Sequence, residues 1–449
     1  MKARNRWTLT ALALALAAAP AAAQTTVASG TPAGGGDGEK AAPSTMKAIV
    51  IQNMRPQDRR GLNVFEPPKE NKPFQGFVLD FGAAFTQQFQ MLEHSNTAQP
   101  RIVDGVDQNQ LADIGPGFNL ATANLYLNAQ LAPGIRVALE GYMSSRHHSE
   151  FWVKGGYLQI DESPIDLPVL NTIMDYVTLK VGHFEINYGD AHFRRTDNGN
   201  ALFNPFVGNL IMDGFATEIG GEVYVRTGPW LAMLGVTNGE IKGTVVNPDE
   251  RAPSFIGKLG FDNELMDGLR VRLTGSIYTT EKSSSNTLYA GDRAGSRYYN
   301  VMDNAAGADF RNGRMNPGMT DKITAMQLNP FVKLGGLELF GVLEKASGRA
   351  RTETEEREWT QLAGDVVYRF LRDESAYVGA RYNVVEGPLA GMTDNVNVDR
   401  IQIGGGWFVT PTVLLKAEYV RQTYNDFPVT DIRNGGKFNG LMIEGVVAF

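Results

Sequence analysis

The stretch "FVLDFGAAFTQQFQM", residues 77–91, alternates between apolar side chains and polar or small ones. Every odd position is apolar apart from Gln87, whereas the even positions include Asp80, Gln88 and Gln90. Successive side chains of a β-strand point to opposite faces, so a strand with this pattern has one oily face and one wet face. We therefore predict a strand that separates two different solvents.

The same alternation recurs along the rest of the chain, with clear examples at 135–143, 269–277 and 400–407. The predicted strands lie at 74–91, 118–131, 134–146, 149–160, 176–186, 214–226, 229–237, 254–262, 268–281, 322–334, 336–346, 357–371, 375–386, 396–409, 412–424 and 437–449. Boundaries that are read from sequence shift by about 2–4 residues, so totals of about 14 or 18 strands stay open beside about 16.

The connections between the predicted strands alternate in length. Short turns such as 132–133 and 410–411 alternate with long loops such as 92–117 and 187–213, which is typical of bacterial outer-membrane barrels. A soluble β-sandwich also alternates, but strand lengths near the roughly 9–11 residues of a tilted membrane strand favour the barrel. The predicted fold is an all-β transmembrane antiparallel β-barrel of about 16 strands, with short periplasmic turns and long extracellular loops.

The first residues have the pattern of a secretory signal peptide. Lys2, Arg4 and Arg6 precede a short apolar run at 9–19, and small residues at 21–23 fit a cleavage site before Gln24. We predict a signal peptide at 1–23, a flexible linker and possible periplasmic or plug segment at 24–73, and the barrel at 74–449. The expected location is the outer membrane of a Gram-negative bacterium.

Composition excludes several other classes of protein. The chain has no cysteine, which excludes disulfides and zinc sites built on thiolates. A formal net charge of −7 argues against nucleic-acid binding. Fifty glycines and a mean hydropathy of −0.22 fit a barrel in which only alternate residues meet lipid.

The stretch "YVTLKVGHFEINYGDAHFRRTDNG", residues 176–199, resembles a strand and the start of the third loop in the phosphate-selective (O/P-type) porin family. It is similar, more loosely, to the Gram-negative trimeric porins. The matching residues are Val181, Gly182, Phe184 and Gly189. The resemblance implies a loop folded into the channel and a trimeric assembly. The family's anion selectivity depends on arginines and lysines along the pore, and no regular basic ladder occurs in this sequence.

The loop after this strand is the best candidate for a pore constriction. The residues expected to edge the opening are Asp190, His192, Arg194, Arg195 and Asp197. The following stretch "ALFNPFVGNLIMDG", 201–214, is unusually apolar for a surface loop, and such clusters are usually covered by something. We expect this loop to fold inward against the barrel wall, with packing at a subunit interface as the alternative.

Charged residues on the wet faces of the predicted strands are the candidates for the pore wall. These residues are Arg136, Glu140, Lys180, Arg270, Arg272, Arg369, Arg381 and Arg400. Acidic positions such as Asp80, Glu218, Glu222, Asp365 and Glu418 are about as frequent, and rings of one sign are what select ions. The mixture favours a weakly selective channel, and the alternative is cross-strand pairing that only keeps the wall polar.

These features together predict a water-filled porin for passive diffusion of small hydrophilic solutes or ions. An anion- or phosphate-selective channel is one alternative, and a barrel enzyme or a plugged structural protein is another. We expect no enzymatic activity, no metal and no cofactor, since no catalytic constellation or metal motif stands out. The expected partners are outer-membrane lipid, lipopolysaccharide and two further copies of the chain, with no nucleic acid.

Overall fold

The computed structural model describes residues 51–69, 72–146, 149–241, 245–292, 297–307 and 313–449. These residues form a closed antiparallel β-barrel of sixteen long strands, which confirms the predicted fold class and strand number. No helix in the described ranges is long and apolar enough to cross a membrane. The predicted signal peptide and most of the predicted linker lie outside the described residues.

The strands of the barrel are β1 Val78–Ser95, β2 Thr122–Ala132, β3 Ile135–Ser144, β4 Trp152–Ile160, β5 Val177–Glu185, β6 Thr217–Thr227, β7 Trp230–Thr237, β8 Ser254–Met266, β9 Leu269–Thr280, β10 Lys322–Leu334, β11 Leu337–Arg349, β12 Arg357–Phe370, β13 Ala376–Pro388, β14 Asn395–Thr410, β15 Val413–Asn425 and β16 Lys437–Ala448. Each strand pairs antiparallel with the strand before it and the strand after it. The first and last strands pair with each other from Ala84 with Ala448 to Ser95 with Lys437, which closes the barrel.

The two ends of the barrel differ in their connections. At one end, here the turn end, most connections are tight, such as 133–134 between β2 and β3 and 411–412 between β14 and β15. At the other end, here the loop end, connections include 96–121, 186–216 and 281–321. This asymmetry is the one that the sequence predicts.

Smaller elements lie in the connections. The β4–β5 connection at the turn end holds the helix α1 (Pro168–Met174), which begins with proline and has no buried residue. A short ribbon pairs Ile102–Val103 with Val106–Asp107, and Gly117–Phe118 pairs with β1. Single 3₁₀ turns lie at Arg59–Gly61, Ala191–Arg194, Pro248–Glu250 and Arg372–Glu374.

The two faces of the wall follow the alternation of the sequence. On β1, Leu79, Phe81 and Phe85 are exposed on the outer face, whereas Thr86 and Gln88 are fully buried on the inner face. A pleated strand between lipid and a polar interior requires this division, because outward side chains meet hydrocarbon and inward ones meet polar groups.

Two long loops fold into the barrel and fill much of its interior. The β5–β6 loop (186–216) lies against inward side chains of the wall, for example through the backbone N–H of Val207, which donates to Glu418 at 2.7 Å. The β9–β10 loop (281–321) does the same through Tyr289, whose hydroxyl donates to Glu344 at 2.8 Å. Apolar residues of both loops, including Ile211, pack in one cluster. The sequence predicts the inward fold of the first loop alone.

Residues 51–69 also contact the inner side of the wall, at the turn end. The backbone N–H of Gln52 donates to the side chain of Gln130 on β2 at 2.9 Å. The backbone N–H of Arg59 donates to the carbonyl of Pro411, in the β14–β15 turn, at 2.9 Å. These two contacts involve strands that are far apart in the sequence.

Candidate functional site

A cavity of about 260 Å³ lies inside the barrel and is the candidate functional site. Its walls come from inward residues of β2–β6, from residues 54–67 and from the β5–β6 loop. The other side of the barrel, at β10–β16, is covered by the two inward loops. The cavity is large enough to hold several water molecules.

The β5–β6 loop begins where the sequence motif predicts. Gly182 has a φ of 142°, and a Cβ there would meet the backbone of Tyr157 on the neighbouring strand, so only glycine fits without a shift. Gly189 also lies in the left-handed region with φ 68°. Gly182 thus allows close packing of β5 on β4, and Gly189 allows the turn by which the chain enters the interior.

Asp190 anchors the start of this loop. Its carboxylate accepts from Arg272 at 2.8 Å and from Thr274 at 2.8 Å, and lies 2.7 Å from the Nζ of Lys258. Burial raises the pKa of Asp190, but the neighbouring cations Lys258 and Arg272 together have the larger effect and hold that pKa below its usual value. Asp190 is fully buried and is absent from the cavity lining, so it holds the loop rather than edging the opening.

The two arginines of the loop have different surroundings. Arg194 lies behind the cavity wall, with its guanidinium 3.3 Å from Glu338 on β11 and bonded to Asn63. Arg195 lines the cavity and binds Asp213 at 2.7 Å and also Asp292. Burial lowers the pKa of Arg195, but the two aspartates outweigh it and hold that pKa well above its usual range.

His192 and Asp197 line the cavity as well. The ring of His192 lies between Glu185 at 2.6 Å and Asn187 at 3.0 Å. Burial lowers the pKa of His192 against the opposing effect of Glu185. Asp197 binds Tyr142 and Lys154, and burial raises the pKa of Asp197 against the effect of Lys154. The structure thus brings three of the five predicted constriction residues to the cavity.

Three of the predicted wall residues line the same cavity, namely Arg136, Glu140 and Lys180. Arg136 donates to Gln159 at 2.6 Å, and Lys180 lies 3.4 Å from Glu222. Arg226 also lines the cavity and donates to the carbonyl of Pro67. Within the described ranges, neither Arg136 nor Arg226 has a carboxylate within ion-pairing distance.

The other five wall residues are paired or covered away from the cavity. Arg270 and Arg272 bind Asp262 at 2.6 and 3.1 Å. Buried carboxylates also pair with two arginines further along, Arg369 with Glu338 and Arg381 with Asp365, each at 2.6 Å. Arg400 is fully buried and donates to Gln422 at 2.6 Å and to carbonyls of both inward loops. Their part in a pore stays a prediction.

Sequence reasoning missed Lys154, which forms the centre of the charged cluster on the cavity wall. The nitrogen of Lys154 lies 3.0 Å from Glu140 and 3.1 Å from Glu185, in addition to Asp197. Strict alternation places Lys154 on the outer face with Leu158, but the β3–β4 register shifts between Glu140 and Gly141. This bulge turns the lysine inward. A Lys at an outward position directly before two glycines, Gly155 and Gly156, would have been the only signal in the sequence.

The arrangement offers hydrated solutes a choice of charges, hydroxyls and amides. Both cations and carboxylates line the cavity, and the ring of Tyr157 lies 4.8 Å from Lys180 and 5.7 Å from Arg136. No group of three or more histidine and acidic side chains in the described part of the chain is placed to hold a metal ion. The chemistry that this arrangement supports is reversible polar contact.

Comparison with known proteins finds likeness at the level of structure. No protein-family profile and no curated protein sequence matches the chain. An anion-selective porin from Comamonas acidovorans matches with a TM-score of 0.52 at 12% identity, over 83% of this chain and 100% of that porin. The outer membrane channel DcaP of Acinetobacter baumannii matches with a TM-score of 0.49 at 10% identity, over 84% and 99% of the two chains. OprB of Pseudomonas putida matches with a TM-score of 0.48 at 10% identity, over 83% and 94%. The chain therefore has the β-barrel fold of the Comamonas porin, while the predicted membership of the phosphate-selective family stays a prediction.

Proposed function

We propose that this chain is an outer-membrane porin through which small hydrophilic solutes and ions diffuse passively. The observation that carries the proposal is a cavity of about 260 Å³, lined by charged and polar side chains together with aromatic ones, inside a closed barrel whose outer face is apolar. Polar groups along such a path replace the water contacts that a solute gives up when it enters. The barrel keeps this wet interior apart from the hydrocarbon outside.

In this proposal the β5–β6 loop is the constriction. Three of its residues, His192, Arg195 and Asp197, edge the solute path through the cavity. Asp190 and Arg194 fix the loop from behind through their pairs with the wall. The wall charges Arg136, Glu140 and Lys180 face the same path, so both signs of charge act on the solute.

The test is single-channel recording of the purified protein in planar bilayers. Discrete conductance steps that scale with salt concentration support a diffusion porin. A purified, folded protein that stays silent at all voltages would contradict the proposal. Folding is verified separately by circular dichroism and by the gel shift that folded barrels show between unheated and heated samples.

The assembly that we propose is a homotrimer in the outer membrane of a Gram-negative bacterium, surrounded by lipid and lipopolysaccharide. The resemblance to trimeric porins of residues 176–199 supports the trimer. Light scattering in detergent is expected to give about three times the mass of one chain, which is 49.0 kDa for all 449 residues. A mass of one chain would contradict the trimer and leave the channel proposal standing.

A second candidate function is an anion-selective channel. Arg136 and Arg226 face the cavity without a carboxylate partner among the described residues. The buried Nε of Arg136 has no hydrogen-bond partner among them either. Such cations favour a carboxylate or phosphate group in the path. The reversal potential in a salt gradient distinguishes a channel that strongly prefers anions over cations from a weakly selective one. Replacing both with glutamine should lower any anion preference, whereas Arg421→Gln, on the exposed outer face, should leave it unchanged.

A further inference from the structure

Residues 51–69, here the N-terminal segment, cross the interior of the barrel at its turn end. The segment contacts β2 through Gln52, the β14–β15 turn through Arg59 and β11 through Asn63, whose amide donates to Glu338 at 2.5 Å. Near its end, Lys69 donates to the carbonyl of Asp161 at 2.6 Å, in the β4–β5 connection. The segment is therefore attached at several points around the barrel.

A buried ion cluster holds the segment in its central part. The carboxylate of Glu66 lies 2.9 Å from Lys258 on β8 and 2.7 Å from Arg272 on β9, and it accepts from Asn187 at 2.9 Å. The same two cations bind Asp190 at the start of the β5–β6 loop. The cluster continues through Asp262, which binds both Arg272 and Arg270, so three carboxylates and three cations balance in charge. The segment and the loop thus share one anchor.

Apolar and polar contacts reinforce this anchor on both sides. Phe65 is buried and packs edge-on against Phe331 on β10, with ring centroids 5.3 Å apart, and against Phe193 in the loop at 5.8 Å. Arg194 of the loop bonds to Asn63 of the segment. These contacts extend the interior packing of the barrel and hold the segment in one position.

The segment forms one side of the cavity. Its residues that line the cavity are Met54, Arg55, Gln57, Phe65, Glu66 and Pro67. The guanidinium of Arg55 lies 3.7 Å from the ring centroid of Phe203 and donates to the carbonyls of Gly61 at 2.9 Å and Phe193 at 3.1 Å. Without the segment, the cavity would extend towards β8–β11, where Lys258 and Glu338 are fixed.

We propose that the N-terminal segment is a stationary inner wall of the channel, which confines the solute path to the β2–β6 side and sets its width. This inference rests on the proposed porin function. A stationary wall differs from a mobile plug, because conduction takes place with the segment in position. It also differs from a periplasmic tail, which would leave the conductance unchanged when removed.

The first test deletes residues 51–69 and keeps the rest of the chain. Single-channel conductance should rise severalfold over that of the intact protein, since the path widens towards β8–β11. The same conductance in both proteins would overturn the proposal. If both folded proteins are silent, the porin function itself fails. That outcome is distinct from two conducting proteins of equal conductance.

The second test does not need the deletion variant to fold. The natural chain has no cysteine, so Arg59→Cys with Pro411→Cys creates one disulfide site where the two backbones are hydrogen-bonded. A stationary wall predicts efficient oxidation and the same conductance before and after reduction. A conductance that rises on reduction would show that the segment has to move away, and would overturn the proposal. Failure of the pair to oxidise in the folded protein would overturn it as well.

Discussion

Lys154 binds three carboxylates at once and holds together a buried charged cluster on the cavity wall. Glu140 and Glu185 lie 3.0 and 3.1 Å from its nitrogen, and Asp197 is bonded to it as well. Removing one partner of a buried ion pair leaves the others without compensation and costs about 3–5 kcal/mol. Lys154→Met should lower the free energy of unfolding by about this amount, as measured by urea titration in detergent.

The matched control for this change is Lys345→Met. Lys345 pairs with Glu358 at 2.8 Å, but both side chains are more than half exposed on the outer face. Exposed pairs contribute little, so this variant should unfold at nearly the urea concentration of the parent. Equal losses in the two variants would show that the cluster at Lys154 has no special part in stability.

The pH dependence of ion preference is the second prediction at this scale. Burial raises the pKa of Asp197 and lowers the pKa of His192. On acidification from neutral pH, Asp197 loses its negative charge earlier than an ordinary aspartate, and His192 gains its positive charge later than an ordinary histidine. Both changes make the cavity more positive, so the reversal potential should move towards anion preference as the pH falls.

Asp197→Asn tests this dependence, because it removes the titration of Asp197. The pH-dependent movement of the reversal potential should become smaller in this variant. Asp166→Asn, which alters an exposed carboxylate in the β4–β5 connection, is the control and should follow the parent. A parent channel with constant ion preference from neutral to acid pH would contradict the prediction.

The sequence predicts which side of the wall a charged residue lies on more readily than which partner it binds. Alternation places Arg136 and Lys180 on the inner face, since period two is a local property of a strand. The partners of Asp190 and Arg195 come from distant parts of the chain, and no local pattern encodes them. Lys154 was missed because a single bulge reverses the alternation there.

At the scale of elements, the strands were predictable and the packing of the loops was predictable only in part. Sixteen alternating stretches are repeated local signals, and the number of strands follows from them. The stretch 201–214 is mostly apolar, so the sequence predicts that this loop is buried. The β9–β10 loop buries Leu288, Tyr289 and Tyr298, but these residues are scattered among polar ones without a period. Only their contacts with the wall reveal that this loop lies inside.

The inward position of the β9–β10 loop leads to a prediction for conductance. Its residues cover acidic side chains of the wall, with Tyr289 bonded to Glu344 and Tyr298 bonded to Glu418 at 2.5 Å. Replacing 284–318 with a short Gly-Ser linker should expose these carboxylates and widen the loop end of the barrel. We expect a higher single-channel conductance and a shift of the reversal potential towards cations.

Replacing the β13–β14 connection (389–394) with the same linker is the control, because that segment is short and largely exposed. It should leave conductance and ion preference as they are. If the two replacements behave alike while both proteins are folded, the β9–β10 loop does not restrict the path.

At the scale of the whole molecule, stability depends on closure of the barrel. A closed barrel leaves no strand edge with unpaired backbone groups, which a membrane would not tolerate. The closing pair β1–β16 runs over twelve residue pairs and is completed by Phe449, whose N–H donates to the carbonyl of Ala83 at 3.0 Å. The carbonyl of Phe449 accepts from the N–H of Ala83 at 2.9 Å.

Gly82 lies beside this last bond, and it allows a direct test of closure. A Cβ on Gly82 would lie 2.6 Å from the backbone oxygen of Phe449, so Gly82→Ala forces β1 and the end of the chain apart at this point. Gly364→Ala is the matched control, because a Cβ on Gly364 meets no atom within 4 Å. We expect Gly82→Ala to lower the free energy of unfolding by about 1 kcal/mol or more and to reduce the folded fraction after refolding into vesicles. Gly364→Ala should match the parent in both measurements. Because both variants add the same methyl group to a barrel strand, equal behaviour would mean that the contact between Gly82 and Phe449 does not limit closure.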